Sequence, residues 1–154
     1  MEDHKFYTAN VPFDIAVADH KFYTANVPFD IAVALKKAGY WNPGCTYESS
    51  YNNPCYFIPS KKYYAEGVIA PWDELVPAPT YAEVYDWFIK QDMVVSIDYE
   101  SLNPITWTYN IQFIGARLKA AKECGHCGLI ITEDQFDSFT ECFDSAIKTA
   151  VQFI

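Results

Sequence analysis

Three stretches of the chain repeat apolar residues at helical spacing, and they frame the fold. Val27, Ile31, Ala34, Leu35 and Ala38 form the first stripe. Asn26 stands ahead of it as a cap, Pro28 falls in its first turn, and Gly39 sits where a helix ends. Thr80-Tyr81-Ala82-Glu83 spells a capping box just after Pro79, and Tyr81, Val84, Tyr85 and Phe88 continue as a stripe to about residue 91. Ser138-Phe139-Thr140-Glu141 spells a second box. From it Phe139, Phe143, Ala146, Ile147, Ala150 and Ile154 line one face of a helix running to the last residue. Cys142 falls on the apolar side of that helix and reads as a small buried hydrophobe.

Between these helices the composition turns to strands. Met93 to Tyr99 and Thr106 to Phe113 are rich in β-branched and aromatic residues, with a turn at Asn103-Pro104. Ala116 to Cys124 is a short helix ending at Gly125, and Gly128 to Thr132 is a third strand. The expected fold is α+β, a small antiparallel sheet of about three strands covered by two or three helices, as a single domain over 27–154. From Tyr40 to Pro79 the chain is a Pro/Tyr-rich loop region holding six of the nine prolines. Within it Cys55 to Ile58 reads as a strand, Pro59-Ser60 as a turn, Tyr63-Tyr64-Ala65 as a return strand, and Ala70 to Leu75 as a short helical turn. Aromatic residues dominate interfaces, so Tyr63, Tyr64 and Trp72, with the acids Asp73 and Glu74 beside them, are the expected binding surface.

The N-terminus carries an identical tandem copy: residues 3–18 and 19–34 both read DHKFYTANVPFDIAVA. Divergence erodes identity, so the copy is recent. Two units are too few for a solenoid. Removing one leaves a chain of about 138 residues from the original 154 with a sensible N-terminus. Only the second copy runs into Leu35-Lys36-Lys37-Ala38-Gly39 and completes a helix. The first, whose Val11, Ile15 and Ala18 run on in helical spacing to Phe22 of the second, either extends that helix or is displaced as an arm suited to domain swapping or homo-oligomer formation.

The length of 154 residues fits one domain, and 51% hydrophobic with 20% charged residues excludes wholesale disorder. No apolar run approaches the roughly 18 residues a membrane helix needs. Met1-Glu2-Asp3-His4-Lys5 is no basic leader, so no secretory signal and a cytoplasmic location are expected. The net charge of −9 argues against direct nucleic-acid binding and suits docking on a basic protein surface. Five cysteines, an odd number, fit reduced thiols.

The segments VPFDIAVALKKAGYWNPGCTY, VPAPTYAEVYDWF and FDSFTECFDSAIKTAVQFI together resemble a set of short uncharacterised proteins of bacteriophages and mobile elements of gut anaerobic bacteria. The matching positions are Ala38-Gly39-Tyr40, Pro54-Cys55, Pro77-Ala78-Pro79-Thr80, Trp87-Phe88 and Phe136 to Glu141. The three quoted segments hold 53 of the 154 residues. The resemblance departs at Gly115–Gly125 and in the duplicated N-terminus. It implies a phage origin and a host-cytoplasm location, and it brings no catalytic residues.

Site chemistry is sparse in the sequence. Cys124-Gly125-His126-Cys127 offers two thiolates and an imidazole to zinc, but a closed site needs four ligands. Cys45 and Cys55 are too far apart in sequence to be a second knuckle. Asp98 and Glu100 flank Tyr99 on one strand and are expected on one face as solvated acids. No glycine loop for phosphate and no nucleophile elbow is present. The expected function is therefore non-enzymatic: an accessory protein that binds a protein partner, in one version inhibiting a host defence or nucleic-acid enzyme. The alternatives are a zinc- or thiol-dependent protein using Cys124 and Cys127, and an engineered duplication with no activity of its own.

Overall fold

The computed structural model describes residues 24–40, 48–51, 53–66 and 68–154. The first repeat copy, the Lys21–Tyr23 segment and Cys45 lie outside them. Helix α1 (Phe29–Lys37) comes first, followed by short strands β1 (Glu48–Tyr51), β2 (Cys55–Phe57), β3 (Lys62–Tyr64) and β4 (Val68–Pro71). A 3-10 turn (Trp72–Glu74) and β5 (Leu75–Pro77) lead into helix α2 (Tyr81–Lys90). The long hairpin β6 (Met93–Leu102) and β7 (Ile105–Phe113) precedes α3 (Gly115–Glu123), β8 (Leu129–Ile131) and α4 (Phe139–Ala150). The class is α+β, with antiparallel three-stranded sheets in the orders β3-β2-β5 and β6-β7-β8, and β1 paired to β4.

The first capping box closes as the sequence predicts, while the second forms only its Ser138 half. The Thr80 hydroxyl accepts from the Glu83 backbone N–H (3.2 Å), while the Glu83 carboxylate accepts from the Thr80 N–H (2.7 Å). The Ser138 hydroxyl accepts from the Glu141 N–H (3.2 Å). Each supplies a partner for an otherwise orphan donor of a first turn. On the hairpin, Met93, Val95 and Ile97 stand opposite Phe113, Ile111 and Tyr109. These residues form one buried face, and α2 and α4 pack against it. Val27, Ile31 and Leu35 of the second repeat copy and its continuation are fully buried in the same core. Each such side chain contributes about 1.5–3 kcal/mol on leaving water.

Four expectations are corrected. Asn26 does not cap α1. The Val27 N–H donates to the Pro79 carbonyl (2.9 Å), and Asn26 bridges Thr80, so the chain stays extended until Pro28 and the helix starts at Phe29. Asn26 instead donates through its side chain to the Ala78 carbonyl (2.7 Å). In the stripe, Ala32 is buried where Ala34 was expected. The last helix ends at Ala150 and tightens into a 3-10 turn (Val151–Phe153), which rotates Ile154 off the apolar face and leaves it exposed. Finally, a bulge leaves Glu100 without a β7 partner between the pairs Tyr99–Trp107 and Ser101–Thr106. The alternation that would put Asp98 and Glu100 on one face is interrupted there, while both acids are exposed, as expected of solvated acids.

Candidate functional site

Helix α1 ends in a Schellman motif. The Gly39 N–H donates to Lys36 (3.0 Å) and the Tyr40 N–H to Leu35 (2.9 Å), with Gly39 at φ +94°. This turn carries Tyr40 back against Trp87 of α2, with ring centroids 5.4 Å apart and planes at 69°. The buried stripe of α2 is Tyr81, Val84 and Phe88, so Glu83, Asp86, Trp87 and Lys90 emerge along another side of that helix. With Tyr40, Asn53 and Ala78, the prolines Pro54, Pro77 and Pro79 line the other side of an open cleft of about 560 Å³. That is within the usual size of a ligand site, roughly 300–1,000 Å³.

The proline wall is rigid and offers few backbone donors. Prolines 54, 77 and 79 have fixed φ and no N–H to donate. The Ala78 N–H donates to the Pro54 carbonyl (2.9 Å), the Ala78 carbonyl accepts from Asn26, and the Pro79 carbonyl accepts from Val27. Recognition here rests on ring faces and on the charges of Glu83, Asp86 and Lys90. No known protein family, curated protein or solved structure matches this chain.

The residues singled out from sequence scatter. Tyr63 and Tyr64 are neighbours on β3 and point to opposite faces of it. The Tyr63 ring lies 5.5 Å from Tyr56, and its hydroxyl donates to Asn26 (3.0 Å). Tyr64 and Trp72 pack together on a small satellite core of Cys55, Ala70 and Leu75. Lys36 stands 4.3 Å over the Trp72 ring and donates to the Trp72 and Leu75 carbonyls. Burial pushes the Lys36 ammonium down from its ordinary value, and Asp73 partly offsets this. Asp73 is exposed, and Glu74 is half-buried with its carbonyl accepting from Ile58 (2.8 Å). Tyr64 and Trp72 thus share a cluster that ties the loop region to α1, while Tyr63 belongs to the other face.

The Cys124 motif is a second Schellman terminus. The Gly125 N–H donates to Lys122 (3.0 Å) and the His126 N–H to Ala121 (2.8 Å), with Gly125 at φ +79°. His126 Nδ1 accepts from the Gly128 N–H (2.9 Å), and its ring stacks on Phe113. Cys124 and Cys127 are exposed, and the Cys127 thiol faces the Leu129 carbonyl at 3.5 Å. Among the described residues no three His, Cys, Asp or Glu side chains gather as ligands.

A perturbed pair lies elsewhere, between α2 and α4. The Tyr81 hydroxyl donates to Asp144 at 2.6 Å. Burial pushes the Asp144 carboxyl from an ordinary 3.8 up to about 6, against the opposing pull of the Tyr81 hydrogen bond. Burial and the Asp144 partner also raise the Tyr81 phenol. Nearby, Lys148 pairs with Asp30 (3.0 Å) across α4 and α1. This group fastens three helices and does not line the cleft. Sequence reading missed Tyr40, Glu83, Asp86 and Trp87 as a set. Tyr40 and Trp87 fall among the positions that carry the resemblance, and Glu83 falls in the capping box, but no local pattern marks them as one surface.

Proposed function

We propose that the protein is non-catalytic and acts by binding another protein, with the cleft lined by the Tyr40–Trp87 ring pair and the prolines as the contact surface. The observation that carries this reading is an open groove with two rings set edge to face, a rigid proline wall, and carboxylates on its rim. Rings in a preformed groove give affinity at low entropic cost, and rim charges steer encounter. The net charge of −9 supports a partner with a basic surface, and a nucleic-acid enzyme of a host cell is one such partner.

The test is affinity capture from lysate with the native chain and with Trp87→Ala side by side. Recovery of a discrete partner by the native chain, lost with the variant, supports the reading. Recovery that is identical with both, or nothing above background, removes the cleft from it.

A further inference from the structure

We infer that the occupant of the Tyr40–Trp87 cleft is an extended, basic, proline-containing segment of the partner, held in polyproline II form. This rests on the protein-binding reading and specifies its ligand. The first argument is by elimination of strand addition. An added β-strand needs free backbone donors and acceptors along the receiving edge. Pro77 and Pro79 have no N–H, the Ala78 N–H goes to Pro54, and the Ala78 and Pro79 carbonyls are taken by Asn26 and Val27. A polyproline II segment asks for none of these, because its backbone stays solvated and it presents rings and side chains instead. Aromatic-lined grooves accept such segments with little ordering cost.

The second argument is charge. Glu83 and Asp86 project from one helical turn on the cleft side of α2. Glu83 is pre-oriented, since its Oε2 accepts from the Thr80 N–H (2.7 Å) and hydroxyl (3.2 Å). Lys90 sits one turn beyond Asp86. The rim therefore favours a cation near Glu83 and Asp86 and disfavours one near Lys90, which gives the bound segment a direction. Arginine meets a carboxylate in two parallel hydrogen bonds and can lie on a ring face.

The test is calorimetric titration of the full chain with a short synthetic peptide of alternating proline and alanine carrying two arginines. Control peptides replace arginine by glutamate, or proline by alanine. Saturable binding of the first peptide is expected, weakened tenfold or more by each replacement. Asp86→Lys lies on an exposed residue, so it spares the fold, and it is expected to weaken binding tenfold or more and to flatten the salt dependence. Trp87→Ala, checked for folding by circular dichroism, is expected to abolish binding. Equal binding of the proline-free or the glutamate peptide overturns the inference, as does indifference to Asp86→Lys. So does self-association of the chain that Asp86→Lys abolishes, which would give the cleft to a second copy. Failure of every peptide with Trp87-dependent capture from lysate intact refutes this ligand class and leaves the protein-binding reading standing.

Discussion

The exact repeat offers the fold two registers, and Leu35 chooses between them. Residues 25–34 make the docking contacts of the α1 region: the Tyr81 N–H donates to Ala25, Val27 donates to Pro79, and Val27, Ile31 and Ala32 are buried. Each of these residues has a twin sixteen positions earlier. The symmetry ends at Leu35, whose twin is Asp19, and at Lys36, whose twin is His20. Leu35 is 0% exposed, so seating Asp19 in its place loses the leucine contacts, about 2–5 kcal/mol. It also strips water from a carboxyl, roughly 1–3 kcal/mol more even when the group is neutral. The two bonds from Lys36 to Trp72 and Leu75 would go as well. A total of at least about 4 kcal/mol favours the second copy by nearly a thousandfold. Excising sixteen residues gives the same chain whichever copy is removed. We expect urea denaturation of the shortened chain to match the parent within about 0.5 kcal/mol, and Leu35→Ala to cost about 3 kcal/mol in both. A loss above about 1 kcal/mol on excision would refute the reasoning, because it would mean the first copy contributes structure of its own.

Three further outcomes are expected. Because the Asp144 carboxyl titrates at about 6 when folded and lower when unfolded, its contribution to stability is greatest at low pH and is lost as pH rises through about 6. Asp144→Asn should therefore gain stability relative to the native chain between pH 4 and 7, and parallel pH profiles would contradict this. Thr80→Ala removes one half of the capping box and should cost about 1 kcal/mol in thermal or urea melts, with no cost counting against the cap. With Cys45 replaced by serine, a thiol reagent should label exposed Cys124 and Cys127 quickly in the folded chain and spare Cys55 and Cys142. Burial raises both of the latter thiols, Cys142 to about 12, and rapid labelling of either would contradict their placement.

The parts legible from sequence are those coded locally. Thr80-Glu83 and Ser138-Glu141 mark helix starts whatever lies around them, and Tyr81, Val84 and Phe88 repeat often enough to define a face. The hairpin at 93–113 was legible because each arm is long. Strands β1, β4 and β5 escaped, since three or four residues hold too few alternations, and Pro71 and Pro77 at their ends read as breakers. The cleft escaped for another reason. Its residues come from four segments between Tyr40 and Lys90, and only tertiary packing sets Tyr40 on Trp87. Tyr63 and Trp72 stand out by composition; Tyr63 stays exposed beside Tyr56, and Trp72 is half-buried on the satellite core.

The Schellman turn at Gly39 has a thermodynamic corollary. One jaw of the cleft, Tyr40, is the last word of the very helix whose seating depends on Leu35. Occupancy and seating are then reciprocally linked: a tenant resting against the packed ring pair holds the N-terminal helix in place, and a loosened helix releases the tenant. Saturating ligand should accordingly slow amide exchange along Phe29–Lys37, although that helix need not touch the ligand at all.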